Sequence, residues 1–104
     1  MKSTYKLVWS EEAITNLKGI IDYLEYKWTE REIKNFSKLL DKKLNLLQTQ
    51  PQLFPKSEIS NALQKVVVSK QTTIHFRVEN VEVHIITLFD TRQDPNNLNP
   101  FLSK

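Results

Sequence analysis

A chain of 104 residues with 39% hydrophobic residues has the size of one domain and enough apolar material for a single core, which excludes a disordered chain. Its formal charge of +3 favours an acidic partner, yet the lysines are spread along the chain rather than massed as in a dedicated DNA binder. The absence of cysteine excludes disulfides, thiolate nucleophiles and zinc–thiolate sites together.

The first element is a short strand over Tyr5-Lys-Leu-Val-Trp9, rich in β-formers. Ser10 then offers an N-cap, and Glu11 and Glu12 set negative charge against the helix dipole. Ala13, Ile14, Leu17, Ile20, Ile21, Leu24 and Trp28 recur at helical spacing and form a wide apolar stripe. Thr29-Glu-Arg-Glu32 reads as a capping box that starts a second helix, with Trp28 and Ile33 placed for a hydrophobic staple. Ile33, Phe36, Leu40, Leu44 and Leu47 line one face of that helix. With only the cap between them, the two helices turn back on each other as a hairpin.

Pro51 and Pro55 in "QTQPQLFPKSEIS" forbid helix continuation, and Leu53 and Phe54 are placed to anchor this loop on the core. Three strand patterns follow, over Leu63–Ser69, Thr73–Glu79 and Val81–Phe89. In the middle one, Ile74, Phe76 and Val78 alternate with His75, Arg77 and Glu79, so one sheet face packs and the other is open. Around a turn at Glu79-Asn80, Val78 pairs with Val81, Arg77 with Glu82 and His75 with His84. The alternative turn at Asn80-Val81 sets Glu79 against Glu82 and asks valine for a positive φ, so the first register is preferred. The expected fold is α+β in the order β-α-α-β-β-β, a helical hairpin on one face of a mainly antiparallel four-stranded sheet. A single domain spans residues 1–104.

Two phrases and one loop resemble the ParE/RelE toxin superfamily. "YKLVWSEEAITNLKGIIDYL" resembles its opening strand and helix, joined through a W-S-x-x-A phrase; "TQPQLFP" is similar to its loop, and "HIITLFDTRQDP" to its last strand and R-x-D ending. The likeness runs from Tyr5 to Pro95. It implies the toxin of a bacterial type II toxin–antitoxin system, a plasmid stabilisation protein, neutralised by a cognate acidic antitoxin. The antitoxin would lay an amphipathic helix beside the helical hairpin, with Tyr23, Tyr26 or Trp28 as anchors, or add a strand to the sheet edge. Two activities are implied: ParE-like inhibition of DNA gyrase, or RelE-like cleavage of messenger RNA on the ribosome. A degenerate, non-toxic member acting as a binding partner is a third possibility.

Cleavage by internal attack of a 2′-hydroxyl needs a base, an acid and cations for the phosphate charge. The resemblance places a mid-sheet arginine at about Thr73 and a terminal arginine at Arg92, with Phe101 where a tyrosine would stand. The set is therefore incomplete, and Lys70, His75, Arg77 and Arg92 are the candidate catalytic residues if the chain is a ribonuclease. His75 and His84 lack a third metal ligand, and a single glycine excludes a phosphate-binding glycine loop, so neither metal nor cofactor is expected. No apolar run is long enough to span a bilayer, and "MKSTYKLVWS" carries no signal-peptide segment; a cytoplasmic protein is the expectation.

Overall fold

The computed structural model describes residues 4–27 and 29–91. Expectations placed on Trp28, Arg92, Asp94, Pro95 and Phe101 lie outside the described residues. The elements are β1 (Lys6–Trp9), α1 (Glu11–Lys27), α2 (Glu30–Thr49), a short 3-10 turn (Pro51–Leu53), β2 (Gln64–Val67), β3 (Thr72–Glu79) and β4 (Glu82–Asp90). The sheet order is β1-β4-β3-β2, with β1 parallel to β4 and the other pairs antiparallel. The expected order and layer arrangement hold.

Both helix starts follow the local chemistry of the chain. Ser10 Oγ accepts the Ala13 amide at 2.9 Å, and Thr29 Oγ1 accepts the Glu32 amide at 3.3 Å. Ala13, Ile20 and Leu24 of α1 are buried against Phe36, Leu40 and Leu47 of α2 and the inner sheet face. Leu17, Ile21, Ile33 and Leu44 pack partly around them, whereas Ile14 is 44% exposed. Thr49 is the last residue of α2, and Pro51 opens the tighter turn that follows. Phe54 then meets Phe76 edge to face, with ring centroids 6.1 Å apart at 88°. Leu53 does not share this anchoring role; it is 69% exposed. Gln64 supplies the missing tie, donating from Nε2 to the carbonyls of Pro51 and Phe54 at 3.0 and 2.9 Å.

The hairpin of β3 and β4 takes the register that sequence reasoning set aside. Val78 pairs with Val83, Arg77 with His84 and Glu79 with Glu82, leaving Asn80-Val81 as the turn. Positive φ falls on Asn80 alone, at 55°, so valine is not asked for it. Each glutamate has a nitrogen partner in the next cross-strand row: Arg77 Nε donates to Glu79 at 2.7 Å, and His84 Nε2 lies 2.9 Å from Glu82 and 3.4 Å from Glu79. Arg77 thus pairs with Glu79 rather than Glu82, and His75 stands opposite Thr87 rather than His84.

A bulge between these pairings decides what the open face carries. Phe76 pairs with Ile85 and His75 with Thr87, so Ile86 is the extra residue on β4. Inward positions on β4 shift from Val83 and Ile85 to Leu88 and Asp90. Thr87 and Phe89 are thereby turned to the side of His75. β1 ends opposite Ile85, and beyond it α1 covers the edge of β4. Ser10 Oγ donates to the Ile86 carbonyl at 2.7 Å, and Asn16 Oδ1 accepts the Leu88 amide and the Thr87 hydroxyl at 3.0 and 2.8 Å. β2 is shorter than expected, because Val68 and Ser69 already turn back on Thr72.

Candidate functional site on the open sheet face

The open face divides into two chemically distinct halves. Near the β3–β4 turn, the cross-strand rows join Lys6, Glu82 and Glu79, then Val8, His84 and Arg77. Toward the other end they join Lys65, His75 and Thr87, then Val67, Thr73 and Phe89. Glu58 and Ile59 arrive from the loop after α2 and close this second half into a groove of about 440 Å³. Val67, Phe89 and Ile59 leave apolar surface there, being 50%, 45% and 65% exposed.

His75 forms the floor and is only 8% exposed. Its Nδ1 lies 2.9 Å from Ser57 Oγ, which also accepts the Ile59 amide at 3.1 Å. The hydroxyl keeps a second lone pair and its proton, so it serves either tautomer of the ring, donating to a bare Nδ1 or accepting from a protonated one. Burial lowers the His75 pKa from its ordinary 6.5; Glu58 opposes the shift and the Lys65 cation adds to it. Lys65 itself is paired with Glu58, whose carboxyl is held low chiefly by that hydrogen bond.

A pH dependence follows from the burial of the ring, which disfavours its charged form. The unfolded chain binds a proton at His75 more readily than the folded one, so stability is complete above about pH 6.5 and falls as the pH drops toward the folded value. Urea unfolding at pH 7.5 and 5.5 is expected to show lower stability at the acid value. In His75→Gln the loss should shrink; an unchanged slope would place the acid sensitivity elsewhere.

The structure does not gather the candidate residues. Arg77 opens onto a different depression, lined also by Gln52, Lys56, Asn61 and Glu79, and its guanidinium is taken by Glu79. The Glu79 carboxyl is held low, first by that hydrogen bond and then by the charge of Arg77. Lys70 is exposed on the turn between β2 and β3, and among the described residues it makes no ion pair with a carboxylate. Thr73 lies in the groove where the resemblance places an arginine. Ser57, Glu58, Lys65, Thr87 and Phe89 were not singled out from sequence. Only Lys65 carried a usable signal, since antiparallel pairing of the β2 and β3 patterns can set it beside His75. No group of three His, Asp or Glu side chains suited to a metal occurs among the described residues.

The family model described as ParE toxin of type II toxin-antitoxin system, parDE, matches residues 7–95. The chain belongs to the ParE toxin family. Its fold is similar to a structure of the chromosomal ParDE TA system from P. aeruginosa, with a TM-score of 0.68 at 17% identity, covering 83% of this chain and 95% of that one. A second similar structure is the conserved hypothetical protein HP0894 from Helicobacter pylori, with a TM-score of 0.55 at 12% identity, covering 86% and 97% of the two chains. At these identities the structures speak for the fold. No curated protein matches the chain. As a ParE-family toxin it presents an open sheet face on which two of the candidate residues, His75 and Arg77, are already engaged by Ser57 and Glu79. No helix among the described residues is long and apolar enough to cross a membrane.

Proposed function

We propose that this ParE-family chain inhibits DNA gyrase by binding it, and that a cognate acidic antitoxin holds it inactive. The observation that carries the reading is the family match over residues 7–95. The state of the candidate residues supports it: His75 is buried and tied through Nδ1 to Ser57, and Arg77 is paired with Glu79. A base and a phosphate-binding cation held in this way suit a binding face better than an acid–base pair. Tyr26, 82% exposed on α1, is the anchor we assign to an antitoxin helix laid beside the hairpin, because Tyr23 packs against the core. Purified toxin is expected to abolish supercoiling of relaxed plasmid by gyrase, and stoichiometric antitoxin to restore it. Unchanged supercoiling at saturating toxin would sink the proposal.

One observation favours a second reading, RelE-like cleavage of messenger RNA on the ribosome. His75, Lys65 and Phe89 open onto the same groove, which offers a titratable ring, a cation and an aromatic surface. Primer extension on translated message would then show cleavage that is lost in His75→Ala and weakened in Arg92→Ala, Arg77→Ala or Lys70→Ala. Cleavage surviving all four substitutions removes these residues from the mechanism.

A further inference from the structure

Three of the chain's lysines and one arginine fall on one side of α2. Its core-facing side carries Phe36, Leu40 and Leu47. At 3.6 residues per turn the opposite side carries Arg31, Lys34, Lys38 and Lys42, all exposed and spaced three or four residues apart. They form a row about 16 Å long at 1.5 Å rise per residue. Asn35 stands beside the row and Asn45 beyond its end, while Glu30 and Glu32 near its start and Asp41 between Lys38 and Lys42 fall to its flanks. Arg31, Lys34, Asn35 and Lys38 border an open depression of about 380 Å³, with Glu30 on its rim. Among the described residues, none of the row's cations is within ion-pair distance of a carboxylate.

The arrangement runs against what a free helix prefers. Like charges three or four residues apart repel. Arg31 stands in the first turn, where the helix dipole disfavours cations and only the neighbouring Glu30 and Glu32 offset it, and the last turn, where the dipole would favour cations, has none. A row kept against local preference points to an outside anion. The face holds no apolar side chain, whereas protein interfaces are centred on apolar or aromatic anchors. The apolar side of α2 is spent on the core and leaves only Leu39, 40% exposed, which is too little to insert into a lipid surface.

We propose that the outward face of α2 is a docking surface for the phosphate backbone of duplex DNA. A convex helix face bearing point charges can approach the wide major groove of B-form DNA and reach the phosphates beside it. The deep, narrow major groove of an RNA duplex does not admit it. The inference is independent of the gyrase reading, because it is tested with DNA alone.

The experiment measures fluorescence anisotropy of a labelled mixed-sequence DNA duplex of about 20 base pairs titrated with the full chain. With about four phosphates neutralised at 0.9 counterions each, binding should weaken roughly 100-fold between 50 and 200 mM salt. The triple variant Lys34→Gln/Lys38→Gln/Lys42→Gln should weaken only about 4-fold over the same range and bind less tightly at low salt. A matched variant, Lys6→Gln/Lys18→Gln/Lys56→Gln, removes equal charge elsewhere and should keep the steep dependence. If the triple variant is not folded by circular dichroism, Lys38→Gln alone should flatten the slope by about one counterion. A shallow slope in the parent chain, or equal slopes in the two triple variants, overturns the proposal. Tighter binding of an RNA duplex or a poly-glutamate peptide overturns the choice of DNA.

Discussion

Phe76→Ala is expected to lower the unfolding free energy by about 3–5 kcal/mol, the largest effect of any single truncation proposed for this chain. Phe76 is fully buried at the centre of β3, with Gln64 beside it on β2 and Ile85 on β4. Its ring also receives the edge of Phe54, so the loss reaches the loop that carries Ser57 and Glu58 over the groove. A domain of this kind has only about 5–15 kcal/mol in total, and the variant would be near the limit of folding. Urea unfolding would show a lower midpoint with an unchanged m-value. A loss below about 1 kcal/mol would mean that the core around β3 collapses onto the gap, and that Phe76 is not its organising side chain.

Asn16→Leu should cost about 1–3 kcal/mol, out of proportion to an ordinary half-buried position on a helix. One oxygen of Asn16 accepts both the Leu88 amide and the Thr87 hydroxyl, beyond the point where β1 stops covering β4. Leucine leaves both donors without a partner, and exposes the stretch of β4 that carries the bulge. Asn16→Asp keeps the accepting oxygen and should retain most of the stability, which separates loss of the acceptor from loss of packing volume. Amide exchange at Leu88 supplies the local measure: it should quicken in Asn16→Leu and change little in Asn16→Asp. Equal exchange in both variants would show that the helix is not what protects this edge.

Local signals in the chain were sufficient for much of the fold. The Ser10 and Thr29 caps, the period of apolar residues in both helices and the prolines after α2 act within a few residues, so their meaning survives without a partner. The alternation in β3 likewise named its buried side, Ile74 and Phe76, correctly. The family resemblance was carried by phrases in order from Tyr5 to Pro95, and the family match covers residues 7–95. What misled was an argument made from pairs in isolation. Glu79 opposite Glu82 is unfavourable for two strands alone, but the Arg77 guanidinium bonds Glu79 and the His84 ring lies within hydrogen-bond distance of Glu82, which changes the balance.

The candidate site was less legible, for a related reason. Lys70, His75 and Arg77 were chosen because one polar side of the sheet offered them, and side alone does not bring residues together. His75 and Arg77 are two positions apart on β3, yet they serve different depressions and different partners. The groove around His75 depends on Ser57 and Glu58, which come from a loop with no strand periodicity. It depends equally on the bulge at Ile86, without which Thr87 and Phe89 would not share the side of His75.

The sequence by itself determined the helices, their caps, the order of elements along the chain and the family, because these rest on short-range periodicity and on the succession of phrases along the chain. Tertiary structure alone decided the hairpin register, the bulge and the burial of His75. Each of these is a balance among groups far apart in the chain, and a charge or a hydrogen-bond donor is worth what its spatial neighbours make of it.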